Sequence, residues 1–158
     1  MFACGIGYDV HRSLAGRPLV LGGVTIDHPL GLDGHSDADV LCHAIADALL
    51  GAAGEADIGH FFPNTDESIR GLSSILIVRT VRERLAAMGS VVVNVDATLV
   101  AEAPKIAPYL NAMKSNLAGA LAVAGNRVGI KATTNEGLGF IGRGEGIAAL
   151  AVAGIERE

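Results

Sequence analysis

Apolar positions along the chain change period several times, and each change predicts an element. Residues 2–12 alternate with glycines and predict a strand. Two short apolar runs lie between Arg17 and Asp27 on either side of Gly22-Gly23, a hairpin signal. Residues 28–36, rich in Gly, His and Asp, predict a loop. Ser36, three residues before Asp39, has the pattern of a helix N-cap with an acid in the first turn. That helix is expected to reach about Ala53, with Val40, Leu41, Ala44, Ile45, Ala48 and Leu49 as its apolar stripe. Residues 54–70 predict an irregular loop, and Leu72 to Met88 a second amphipathic helix stopped by Gly89. Val91 to Val100 is β-branched and strand-like. A helix is expected from Pro104, as an early helical residue, to about Ala124. Residues 126–134 predict a strand and 135–146 a Gly-rich loop. Ile147 to Ile155 is an apolar run whose periodicity does not separate helix from strand; it is assigned as a strand. Long helices alternating with strands imply a sheet covered by helices on at least one face.

Composition narrows the class. The 158 residues suit one domain and can bury a core without disulfides or structural metals. Acids outnumber bases, 17 to 12, and no Lys/Arg cluster forms a basic stripe, which argues against a nucleic-acid partner. Half the residues are hydrophobic and only 18% are charged, so a partner subunit is expected to cover part of the surface. Cys4 and Cys42 form no disulfide framework, which favours a reducing cytoplasm; Cys42 is read as a small buried apolar residue. The first residues carry neither a basic region nor a long apolar core, so no signal peptide is expected, and no apolar run reaches the ~18 residues of a membrane span.

The candidate chemistry lies in a few short pieces. Asp9 and His11, two apart on a strand, leave by the same face, with Val10 turned the other way toward the core. Asp39, His43 and Asp47 fall at i, i+4 and i+8 on one helix face. That face can bring His43 to Asp9 and His11 and leave Asp39 or Asp47 to orient an imidazole. Two imidazoles and a carboxylate are a three-ligand set for zinc or a similar ion, with one coordination position left open. Gly34-His35-Ser36-Asp37 opens the predicted helix; it is either an anion site or an ordinary cap. Lys131 to Glu136 ends a strand with two hydroxyls, a cation and a carboxylate, a set that suits a phosphate with a divalent ion or simply a turn. Arg143 between glycines can clamp phosphate or close a local salt bridge with Glu145. His28 and His60 are read as exposed loop residues.

Together, Gly5-Ile6-Gly7-Tyr8-Asp9-Val10-His11, Gly34-His35-Ser36-Asp37-Ala38-Asp39, Asp57-Ile58-Gly59, Phe62-Pro63-Asn64-Thr65-Asp66, Ala103-Pro104-Lys105, Lys131-Ala132-Thr133-Thr134 and Gly139-Phe140-Ile141-Gly142-Arg143-Gly144-Glu145-Gly146 resemble, in order and spacing, the 2-C-methyl-D-erythritol 2,4-cyclodiphosphate synthase family. The resemblance implies an α+β fold (an α/β sandwich), a mixed sheet with helices packed on one face and sheets facing a trimer axis. It implies a homotrimer with active sites between subunits, in the cytoplasm or, for a plant chain, the plastid stroma. It makes Asp9, His11 and His43 the zinc ligands, with Val10 beside them at the substrate. His35 and Thr134 become the residues that stabilise the transition state, with Ser36 next to the substrate. Asp57, Ile58, Gly59, Phe62, Pro63, Asn64, Thr65 and Asp66 would hold the erythritol phosphate. Ala101, Glu102, Ala103, Pro104, Lys105, Ile106 and Ala107, with Thr133, Thr134, Asn135 and Glu136, would hold the cytidine diphosphate, Glu136 lying near a second ion, Mg²⁺ or Mn²⁺. Phe140, Arg143 and Glu145 would line an axial cavity able to hold an isoprenoid diphosphate. Asn64 stands where the family often has Asp, so a charge role is not carried over to it.

The implied reaction is attack of a substrate 2-phosphate on the β-phosphate of its own cytidine diphosphate, which closes a ring and releases CMP. The attacking oxygen is already anionic, so no general base is required. The residues alone leave two rivals open: a metal-dependent phosphoesterase that acts on nucleotides, and a metal-holding trimer without turnover.

Overall fold

The computed structural model describes residues 1–157. The elements follow in the order β1 (Phe2–Ala15), β2 (Leu19–Leu21), β3 (Val24–Ile26), β4 (Leu30–Leu32), α1 (Val40–Ala53), α2 (Ile58–Phe61), α3 (Ser74–Ala87), β5 (Ser90–Val100), α4 (Leu110–Leu121), β6 (Val128–Thr133), α5 (Gly139–Gly142) and β7 (Gly146–Arg157). Five strands form one mixed sheet in the order β4-β1-β7-β5-β6, antiparallel except for the β5/β6 pair. β2 and β3 make the expected separate hairpin about Gly22-Gly23, both at positive φ.

One face of the sheet carries the helices. Odd positions of β1 (Ala3, Gly5, Gly7, Asp9, His11) turn toward α1, which lies across β1 and β7. A side chain on Gly5 or Gly7 would collide with the backbone carbonyls of Ala48 or Ala44, so the two glycines let α1 approach the strand at backbone distance. Every residue of α1 except Asp47 and Gly51 is buried, because α3 covers its outer side. The helix is therefore a central layer, and the amphipathic stripe read from the sequence understates its burial.

Among the described residues, no element covers the other face of the sheet. Phe2, Ile6, Tyr8, Val10 and Leu14 of β1 point there, with Leu150 and Val152 of β7 directly opposite Tyr8 and Ile6. Ile6 is 71% exposed and Val152 49%. Val10 belongs to this exposed face and not to the core, contrary to the sequence expectation. An alternating strand has a buried and an exposed face, but which is which depends on where the helices pack.

Several boundaries differ from the sequence reading. The N-cap of α1 is Asp39, whose carboxylate accepts from the Cys42 N–H at 3.1 Å, and Ser36 lies upstream in the loop. The predicted loop 28–36 contains β4, which pairs with the far end of β1. The 54–70 segment holds α2 and a 3₁₀ turn, Glu67–Ile69, while the 135–146 loop holds α5. No α-helix starts at Pro104: a 3₁₀ turn over Ala107–Tyr109 precedes α4. Pro108 lacks an N–H and disfavours helical geometry at Ala107, so regular α-helix begins only beyond it.

Candidate functional site

Asp9 and His11 project from the helix-covered face of β1, and His43 from the first turn of α1 meets them. The Asp9 Oδ2, His11 Nε2 and His43 Nδ1 atoms lie 2.9, 3.0 and 3.1 Å apart in pairs. Zinc with arms of about 2.0–2.1 Å in a tetrahedral set holds its ligand atoms about 3.3 Å apart, so the three donors need only part by a few tenths of an ångström to accept such an ion. His43 is buried; Asp9 and His11 are half-buried. His11 Nδ1 donates to the Asp33 carbonyl, and since a carbonyl only accepts, the neutral ring carries its proton on Nδ1 and keeps the Nε2 lone pair for the cluster.

Burial by itself would raise the Asp9 carboxyl, but hydrogen bonds and charges from His11 and His43 together outweigh it and hold Asp9 well below the usual carboxylate range. Burial would likewise lower His11, yet the Asp9 carboxylate, with help from Asp33, raises it above an ordinary imidazole.

Neither Asp39 nor Asp47 orients an imidazole. Asp39 is fully buried and accepts from Gly23 N, Cys42 N and the Cys42 thiol, pinning the β2–β3 hairpin to α1. Burial raises its carboxyl and, still more, the Cys42 thiol, which is buried as expected. Asp47 accepts from Ile58 N at 2.8 Å and so ties α2 to α1. The partner of His43 is Ser74 at the start of α3, with Ser36 beside it. Sequence reasoning missed Ser74: it sits 31 positions from His43, and on its own pattern it is only part of a helix start.

Gly34-His35-Ser36-Asp37 does not open the helix. It is a loop whose backbone is clamped: Arg17 donates to the carbonyls of Gly34 and Ser36, and Gly71 N donates to that of His35 at 2.8 Å. His35 itself is exposed, beside an open hollow bounded by Arg17, Asp33 and Arg70. The helix end that would attract an anion already has the Asp39 carboxylate as its cap.

The 57–66 segment lies at the surface. Asp57 caps α2, and Asp66 caps the following 3₁₀ turn. Ile58 and Phe62 are half-buried; Gly59, Pro63, Asn64 and Thr65 are exposed. His60 is exposed on α2, whereas His28 is half-buried.

A separate cavity of about 430 Å³ is walled by the 101–107 segment and by Ala132 to Thr134 at the end of β6. That volume falls within the range of small-molecule sites. Glu102, Lys105, Thr133 and Thr134 supply its polar lining, and Ala101 N donates to the Thr133 carbonyl to join the walls. Thr134 Oγ1 donates to the Glu136 carboxylate at 3.3 Å and accepts from the Glu136 N–H, while Glu102 accepts from Asn135 N and Gly137 N. Residues 131–140 are all exposed. None of Asp9, His11 or His43 lines this cavity. Arg143 pairs with Glu145 at 2.6 Å, the salt bridge of its local reading, and Phe140 is exposed nearby on α5.

A mixed sheet with helices on one face, a two-imidazole, one-carboxylate cluster and a separate, mostly apolar cavity define an α+β protein with a candidate divalent-metal centre. The chain belongs to the YgbB family, whose model matches residues 2–156. Similar proteins include the 2-C-methyl-D-erythritol 2,4-cyclodiphosphate synthase of Akkermansia muciniphila, 59% identical over 96% of this chain and 90% of that one. The enzyme of the same name from Bordetella petrii is 55% identical over 99% and 96% of the two chains. Among solved structures, the bifunctional IspDF of Campylobacter jejuni superposes with a TM-score of 0.96 at 40% identity, covering 100% of this chain and 43% of that one. The CDP complex of IspF from Plasmodium falciparum gives 0.87 at 30% identity, covering 99% and 97%.

Proposed function

We propose that this chain converts 4-diphosphocytidyl-2-C-methyl-D-erythritol 2-phosphate to 2-C-methyl-D-erythritol 2,4-cyclodiphosphate and CMP, as a phosphorus–oxygen lyase of the non-mevalonate isoprenoid pathway. The carrying observation is the convergence of Asp9, His11 and His43 in a chain 55–59% identical to enzymes of that name over nearly its whole length.

In this reading Asp9, His11 and His43 hold Zn²⁺, and Glu136 lies at a second ion, Mg²⁺ or Mn²⁺, carried with the diphosphate. Such ions polarise phosphate oxygens and neutralise charge between the attacking and leaving groups. The chain's own task is to fold the substrate back on itself. Residues 57–66 hold the erythritol phosphate end, tethered to α1 through Asp47 and Ile58. The 101–107 and 133–136 segments hold the cytidine diphosphate end; that a structural relative is a CDP complex supports a cytidine diphosphate ligand. Holding both ends replaces an encounter by a ring closure, an effect worth about 7–11 kcal/mol in favourable cases. His35, on its clamped loop, donates to the phosphate oxygens that gain charge, and Thr134 does so once its hydroxyl turns from the Glu136 carboxylate to the substrate.

The assembly proposed is a homotrimer with sites between subunits, in the cytoplasm. Two features support it: the bare apolar sheet face, and the lack of shared lining between the nucleotide cavity and the Asp9 cluster. Phe140 and Arg143 are proposed to line the axial cavity, which fits an isoprenoid diphosphate.

The test is product analysis with three variants. Asp9→Asn, His11→Ala and His43→Ala each are expected to lose zinc and abolish CMP release while the trimer persists. Near-normal turnover with zinc retained overturns the assignment. A linear bisphosphate in place of the cyclic product would instead indicate a hydrolase.

A further inference from the structure

His43 is held on the side away from Asp9 by two buried serines and the half-buried Asp37. Its Nε2 lies 2.9 Å from Ser74 Oγ. Ser74 Oγ in turn donates to Asp37 Oδ1, and Ser74 N donates to Asp37 Oδ2 at 3.0 Å. Ser36 Oγ, 3.2 Å from the same Nε2, accepts from Ala38 N and stands 3.4 Å from Ser74 Oγ. Ser36 and Ser74 are buried.

With an ion on Nδ1 in place of an Nδ1–H bond to Asp9, proton counting along this chain has one solution. A carboxylate accepts only, so the single hydroxyl proton of Ser74 goes to Asp37. The Ser74 oxygen then offers His43 a lone pair, and with Nδ1 given to the ion the imidazole proton sits on Nε2. A neutral imidazole protonated at Nε2 has its free lone pair on Nδ1, the atom 3.0 Å from Asp9 Oδ2 and 3.1 Å from His11 Nε2. His11 shows the mirror arrangement, with Nδ1 protonated by its bond to the Asp33 carbonyl. The two rings therefore face each other with opposite nitrogens.

We propose that Ser74, backed by Asp37, is a positioning residue of the metal centre: it fixes His43 as the Nε2–H tautomer and so presents Nδ1 to the ion. The proposal rests on the reading of Asp9, His11 and His43 as a metal site. It also gives α3 a role in the centre although α3 supplies no ligand. Partners that orient a ligating histidine typically contribute 10–100-fold in metal affinity.

The experiment is a Zn²⁺ titration of metal-stripped wild type, Ser74→Ala and Ser74→Thr in competition with a chromophoric chelator. It is paired with ¹⁵N NMR of the histidine rings in the metal-free proteins at a pH where His43 is neutral. Ser74→Ala is expected to bind Zn²⁺ roughly 10–100-fold more weakly and to lose the uniform Nε2–H signature. Ser74→Thr, which keeps the hydroxyl, restores both. A Ser74→Ala protein with wild-type Zn²⁺ affinity overturns the proposal even if its melting temperature falls, since a merely structural serine would move stability alone. An unchanged tautomer overturns it equally. Failure of the wild type itself to bind Zn²⁺ would instead remove the metal site, and this role of Ser74 with it.

Discussion

The two faces of β1 are made by the same fourteen residues and have opposite fates. Odd positions run Gly5, Gly7, Asp9, His11: two residues with no side chain, then two with strong donors. Even positions run Ile6, Tyr8, Val10: bulky and apolar, yet exposed. On the odd face the glycines let α1 settle onto the strand, and that approach carries His43 to Asp9 and His11. The candidate metal centre is thus a consequence of the close packing immediately beside it. On the even face no element of the chain covers the apolar side chains among the described residues. Such a patch on a sheet is the mark of an interface. One strand therefore serves both the chemistry and the proposed assembly.

Breaking the odd face carries the largest effect. Gly7→Val places carbon against the Ala44 carbonyl, which sits in rigid helix backbone. We expect a loss of about 3 kcal/mol or more in denaturant unfolding, at the upper end of overpacking effects. A variant within 1 kcal/mol of the parent, by the ~1.4 kcal/mol-per-tenfold scale of such equilibria, would show that the helix is free to retreat.

The even face answers to a different measurement. Ile6→Glu adds a charge where the side chain already meets solvent in the single chain, so the fold is expected to survive. If copies pack through this face, the buried unpaired charge breaks the assembly. Light scattering then gives the mass of one chain, and a persistent trimer would move the interface elsewhere.

The finest probe of the contrast is pH. His11 is raised above its ordinary value of 6.5 by Asp9, so it holds its proton to higher pH than a free imidazole. A protonated ring has no lone pair to give, and Zn²⁺ affinity is expected to fall as pH drops through that raised value. The metal-free chain behaves oppositely. There the His11–Asp9 pair contributes stability that is complete below the ordinary imidazole value and lost as pH rises through the raised one. Asp9, held low, contributes stability above the ordinary carboxylate range that is lost only in strong acid. Zinc titrations and denaturant unfolding over one pH series read the two trends, and parallel trends would contradict this electrostatic account.

Much of this was legible before any coordinates. The strand spacing of Asp9 and His11, the helical placement of His43 and the Gly22-Gly23 hairpin all follow from local periodicity. The final strand, β7, matches its assignment, although its periodicity alone does not separate strand from helix. What local pattern mislaid were the groups whose partners are distant in sequence. Asp39 looked like a partner for His43 because both lie on one helix face, yet its bonds go to the hairpin and its own helix end. Ser74, which does hold His43, belongs to another helix. Val10 was assigned to the core because a strand in a covered sheet was expected to be covered on that side.

The sequence by itself determined the element types, the small residues that permit close packing and the donor set of the candidate centre, because each depends on near neighbours and on side-chain chemistry. Tertiary structure alone decided which face of β1 is covered, which nitrogen of His43 turns toward Asp9, and that α3 stands behind that ring. Those outcomes depend on where elements far apart in the chain come to rest, and periodicity within one segment carries no information about its neighbours in space.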